Sequence, residues 1–142
     1  MDTSEKYIKM CEKAEEIQKM RLDKWEEGDY VFDKGYDDVR LVFQNAKWLM
    51  GYGIYMVWLP RQDQLQEMIW LRVPSKKPRT LLIWLLNSVV FPEDPPTNKN
   101  IADNENKYWE QFDSMEQLWL AFVMKEKFNK IWDDKKGEWV KT

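Results

Sequence analysis

The chain has 142 residues, 44% hydrophobic and 33% charged, with a net charge of −3. That balance fits one compact domain with a real core, and it argues against a sequence-independent nucleic-acid binder, which needs a basic footprint to neutralise phosphates. There is no histidine and one cysteine, Cys11, which removes Ser-His-Asp and Cys-His catalysis in their usual forms, the commonest metal ligand and any intrachain disulfide.

Residues 4–26 read as a first helix. Asp2 with Glu5, or Ser4, supplies its cap, and Tyr7, Cys11, Ala14, Ile17 and Met20 or Arg21 form a thin apolar stripe, with Gly28 ending the element. The period then changes. Tyr30–Phe32 and Val39–Phe43 read as short strands turned at Asp33–Gly35, and Ile54–Leu59 as a buried, aromatic-rich strand. The two glycines of "GYG" (51–53) suit a strand entry or bulge better than a phosphate loop, which needs a third glycine and a following helix.

Pro60 lacks an N–H and so ends the strand, and it suits the first turn of a helix whose inward face is Leu65, Met68 and Ile69. Residues 72–80 form a loop carrying the basic cluster Arg72, Lys76, Lys77 and Arg79, which reads as a solvated segment. Thr80 is the expected cap of a helix over Leu81–Phe91, with a strand as the alternative. Residues 92–107 hold three prolines and four asparagines and read as an irregular loop. Asp113 with Glu116, or Ser114 with Gln117, forms a capping box. Met115, Leu118, Ala121, Phe122, Met124, Phe128, Ile131 and Trp132 follow at helical spacing, and the unbroken apolar run Leu118–Met124 implies burial on more than one side. The chain closes through a turn at Asp133–Gly137 into a strand, Glu138–Val140. No internal repeat is visible. The expected class is α+β: a small antiparallel sheet packed with an N-terminal amphipathic helix and a buried C-terminal helix, in one domain spanning 1–142.

The N-terminal "MDTSEKYIKM" lacks the apolar region of a signal peptide, and the apolar run Leu81–Phe91 falls short of the ~20 residues needed to span a bilayer. With the single cysteine, this points to a reducing cytosol and to no membrane partner.

Five stretches together resemble a family of small hypothetical proteins carried by phages and prophages of Gram-positive bacteria: "MCEKAEEIQ" (10–18), "GDYV" (28–31), "WLPRQDQLQEM" (58–68), "FDSMEQLWLAFVMKEKFNKIWD" (112–133) and the terminal "GEWV". The resemblance implies an accessory phage gene expressed in the host cytoplasm. It carries over no activity and no catalytic residues.

Nine Trp and six Tyr supply rings of the kind that anchor interfaces and stack on bases, although buried structural tryptophan is the plainer reading. Trp58, Arg61, Gln62, Asp63 and Gln64 would combine a ring, a fork of donors and amide groups at a helix start, which suits a nucleotide-like ligand or a protein edge. The expectation is therefore a non-catalytic binding protein that sequesters or inhibits a host defence protein or a nucleotide messenger, with no cofactor. Two alternatives stand beside it. One is a small enzyme acting on nucleotides through carboxylates such as Asp63, Glu67 and Asp113 and a divalent metal, although no EF-hand spacing appears. The other is an assembly or regulatory subunit, for which a homo-oligomer is the expected partner. Cys11 reads as a packing residue rather than a nucleophile.

Overall fold

The computed structural model describes residues 1–21, 24–43, 55–70, 72, 77–89 and 107–142. The glycine pair at 51–53, Lys76, the end of the apolar run at 90–91 and the loop residues 92–106 lie outside the described residues.

The architecture is α+β, with a three-stranded antiparallel sheet, a separate two-stranded hairpin and helices packed between them. Helix α1 (Glu5–Lys13) starts at Ser4, whose hydroxyl accepts from the Tyr7 N–H. Of the expected stripe, Tyr7, Cys11, Ala14 and Ile17 are fully buried and Met10 joins them, whereas Met20 is exposed and Arg21 half-buried.

The expected helix over 4–26 is shorter and broken. It stops at Ala14 (φ −84°, ψ 67°), resumes as α2 (Glu15–Gln18) and ends there. Alanine is the best helix former, so the break is not local in origin. The Gln18 carboxamide reaches back to the Cys11 carbonyl and across to strand β3, donating to the carbonyls of Cys11 and Trp58 (2.9 Å each) and accepting the Trp58 N–H (2.8 Å). All three principal positions of the amide are used, and a continuous helix through residue 18 would carry this side chain elsewhere.

Strands β1 (Tyr30–Asp33), β2 (Asp38–Leu41) and β3 (Met56–Leu59) pair in the order β2-β1-β3. The first turn lies at 34–37 rather than at Asp33–Gly35. Asp33 closes β1, and its carboxylate accepts the Gly35 N–H at 2.9 Å. One face of the sheet joins the main core through Tyr30, Phe32, Val57 and Leu59. On the other face Val31, Met56 and Val42 form a smaller cluster under Trp25.

Helix α3 (Gln62–Trp70) follows Pro60 directly and buries Leu65 and Ile69. Helix α4 (Pro78–Val89) settles the helix-or-strand alternative. It begins at Pro78 rather than behind a Thr80 cap, because proline's fixed φ and missing N–H suit a first helical position. After a helical turn at 107–110 comes α5 (Met115–Phe128), which is capped by Ser114 and buried from Trp119 to Met124. Burying a leucine or phenylalanine contributes about 1.5–3 kcal/mol, so Leu120 and Phe122, both 0% exposed, make α5 the centre of the core. Trp84 of α4 meets Phe122 edge-on, with ring centroids 5.4 Å apart.

Ile131 and Trp132 do not continue α5. Asn129 adopts the left-handed conformation (φ 54°, ψ 46°) that ends it, and residues 130–133 turn into a strand. Strands β4 (Lys130–Asp133) and β5 (Glu138–Lys141) form a hairpin with Trp132 facing Trp139. This hairpin and the β1–β2 hairpin share one design. Each has a four-residue turn, an aspartate at the end of its first strand that accepts turn N–H groups, and a positive φ at the last turn position (Asp37 54°, Gly137 66°). Helix α1 lies between the two. The Trp139 indole donates to the Met10 carbonyl at 2.9 Å, and Lys34 pairs with Glu12 from the other side.

Candidate functional site

The corner between β3 and α3 contains the five residues expected to bind a ligand or partner, Trp58, Arg61, Gln62, Asp63 and Gln64, and the structure uses most of them internally. Trp58 is 2% exposed, so its ring is not available for stacking on a ligand. The Arg21 guanidinium lies 4.9 Å from its ring centroid, and its buried indole nitrogen has no hydrogen-bond partner among the described residues. Arg61 holds Asp63 in a bidentate pair, with both bonds 3.0 Å, and donates its remaining arm to the Gly28 carbonyl. The hydrogen bond from Arg61 sets the Asp63 carboxyl below its usual range. Gln62 opens the helix half-buried, while Asp63 is exposed.

Gln64 is buried at position three of α3. Its oxygen accepts the Arg61 N–H (2.9 Å) and its nitrogen donates to Asp29 Oδ1 (2.7 Å). The first of these is half of a capping box. The second satisfies a carboxylate that is 0% exposed, whose other oxygen accepts the Glu26 N–H and lies 3.4 Å from Arg21 Nε. The spelling "GD…WLPRQDQ" is thus explained by a polar joint in which the segments 18–21, 28–29 and 58–64 hold one another. This weighs against Trp58 and Gln64 as ligand-binding groups, because both are buried and Gln64 is taken up by internal bonds.

The tryptophan excess has the same explanation. Trp58, Trp109, Trp119, Trp132 and Trp139 are buried, and Trp25, Trp70 and Trp84 pack against the core. Trp48 lies outside the described residues. Among the described residues, the exposed aromatics are Tyr36 (73%), Phe43 (69%) and Tyr55 (52%).

The metal-enzyme alternative finds no grouping. Asp63 is engaged by Arg61, Glu67 and Asp113 are exposed, and among the described residues no three His, Cys, Asp or Glu side chains stand where they could hold an ion together. Cys11 is buried, and burial pushes its thiol pKa well up.

Space for a partner lies elsewhere. An open cleft of about 1130 Å³ runs along the outer face of α1, between the two hairpins. Ile8, Phe32, Val39 and Trp132 give it apolar ground, and Lys6, Lys9, Lys13, Glu5, Glu12, Asp37, Asp38 and Asp134 give it charge. Part of that charge is spent internally. Lys6 donates to the Gln111 carbonyl and lies 3.3 Å from Asp134, and Glu12 pairs with Lys34. The Trp132 indole hydrogen bond, with Lys6 and Lys9 nearby, lowers the Asp134 carboxyl. Lys9 and Lys13 on one wall and Asp37 and Asp38 on the other form no ion pair among the described residues. Gly137 closes the hairpin turn here at a φ of +66°, costly for other residues, and the end of the Lys9 chain lies against it. Sequence reading missed this cleft because its walls come from 3–13, 32–39 and 132–137. The readable signal was the lysine spacing at 6, 9 and 13, which places all three near one helix face.

No protein-family model, curated protein or solved structure matches this chain. No helix among the described residues is long and apolar enough to cross a membrane.

Proposed function

We propose that this is a non-catalytic phage accessory protein that acts inside a bacterial host by holding a host protein, of the defence class, in the cleft beside α1. The setting rests on the resemblance of the five segments to small phage and prophage proteins. The mode of action rests on one observation: the cleft walls carry charges of both signs over apolar ground, and those of Lys13, Asp37 and Asp38 form no ion pair among the described residues, which suits a polypeptide surface better than a phosphate. A phosphate ligand would meet Asp37 and Asp38 along with the lysines, and like charge repels.

The test is co-purification from an infected host with wild-type protein and with a Lys9→Glu/Lys13→Glu variant whose fold is checked by circular dichroism. The reading expects one protein partner, retained by the wild type and depleted about tenfold or more by the charge reversal, an effect of at least ~1.4 kcal/mol. Equal recovery by both would remove the cleft from consideration. Substrate turnover by the pure protein, abolished by changing one side chain, would remove the binding-only reading altogether.

A further inference from the structure

The two edges of the three-stranded sheet are treated differently. On the β3 side, the outward N–H and C=O of Trp58 are closed by the Gln18 carboxamide. Because Trp58 directs its backbone groups away from β1, its partner Val31 directs its own toward β2, where it pairs with Arg40. Asp38 and Arg40 therefore bond inward, as does Val42, whose N–H and C=O join Asp29 and Gly28. The alternate residues Val39 and Leu41 direct their N–H and C=O outward. None of these groups has a hydrogen bond among the described residues. An edge with unmet donors and acceptors is a template for another strand, and proteins commonly blunt such edges. Here one edge is blunted by a dedicated side chain and the other is bare among the described residues.

We propose that the bare edge of β2 binds an extended segment of the partner protein as a fourth strand. This deepens, and rests on, the reading of the cleft as a protein-binding site. Val39 belongs to both features: its backbone edge is open and its side chain lines the cleft with Phe32. Alternate side chains of an added strand project on that same face. There they meet the apolar ground of Ile8, Phe32 and Val39, the ammonium groups of Lys9 and Lys13 on α1, and the carboxylates of Asp37 and Asp38 beside the strand edge. The occupant is thus an extended polypeptide whose cleft-facing residues are apolar, with an acidic side chain toward Lys9 and Lys13 and a basic one toward Asp37 and Asp38. Main-chain bonds supply affinity and the cleft supplies selection.

The test uses the full chain and a displayed library of random short peptides. Selected peptides are expected to alternate, with apolar residues and side chains of both charge signs on one face. Amide exchange at Val39 and Leu41 should slow about tenfold or more in the complex. N-methylation of the peptide at alternate backbone nitrogens should abolish binding, whereas methylation at the intervening ones should leave it within about threefold. Peptides that bind through Lys9 and Lys13 but leave both amides unprotected would overturn the strand pairing while leaving the cleft as a protein site. Failure to select any binder would overturn the pairing as well. So would a concentration-dependent dimer that protects the same amides without peptide, because the edge would then belong to a second copy.

Discussion

Gln18 offers the sharpest test of how this fold is held. Its carboxamide makes three hydrogen bonds to backbone, two on the edge of β3 and one to the Cys11 carbonyl, which also accepts the Ala14 N–H where α1 breaks. At a net ~0.5–1.5 kcal/mol per bond, and more where a buried group is left without a partner, Gln18→Ala should cost about 2–4 kcal/mol. Against a total stability on the order of 10 kcal/mol, that is a large fraction. Urea denaturation followed by tryptophan fluorescence gives the number. A companion, Gln18→Glu, fixes the cause. Its carboxylate can still accept the Trp58 N–H but faces two carbonyl oxygens with no proton to donate, so its folded pKa is raised above the unfolded ~4.3. The penalty is therefore full above the folded pKa and disappears as pH falls below the unfolded value. Gln18→Glu should be less stable than Gln18→Ala near neutral pH and recover on acidification. A Gln18→Ala cost below about 0.5 kcal/mol, or a Gln18→Glu protein as stable as wild type near neutral pH, would refute the account.

Other consequences can be measured directly. Gln64→Leu leaves one oxygen of buried Asp29 and the Arg61 N–H without their partner, and should cost about 2–4 kcal/mol in the same denaturation assay. Asp2 accepts from the Ser4 N–H, the Ser114 hydroxyl and the Gln117 amide. Burial raises its pKa, but these hydrogen bonds outweigh it and the net shift is downward. Its contribution is thus present above the unfolded value and lost as pH falls through the folded one, so the stability gap between wild type and Asp2→Asn should close as pH falls below the ordinary aspartate range in a pH series. Cys11 is 0% exposed with a raised thiol pKa, so a thiol reagent should find no reactive group in native protein and one in denaturant. Rapid native labelling would contradict its placement.

Local signals carried much of the fold. Ser114, the spacing from Leu118 to Met124, Pro60 before Leu65 and Ile69, and the turn ending at Gly137 each have a short-range physical cause, and each lies where expected. The failures are those of tertiary origin. Nothing near Ala14 announces a helix break, because the break is imposed by a strand 40 residues further along the chain. Ile131 and Trp132 fit the helical period of α5 yet belong to β4, since Asn129 turns the chain first. The corner at 58–64 advertised unusual chemistry in its spelling, but whether a glutamine faces solvent or a buried carboxylate depends on Asp29, which sequence spacing does not place beside it. The cleft was the least legible feature, being assembled from distant pieces with ordinary composition.

The clasp on α1 also bears on how the molecule is born. Its outer strand, through Trp139, holds Met10 across 129 residues of chain. At the usual ~5–20 residues per second, a ribosome takes roughly 6–26 seconds to travel that interval. During synthesis the first helix therefore meets the segment from β3 to Pro60, which bonds to Gln18 and Tyr7, well before the final hairpin emerges to complete its cover, and nascent chains halted before that segment should be the form that chaperones capture.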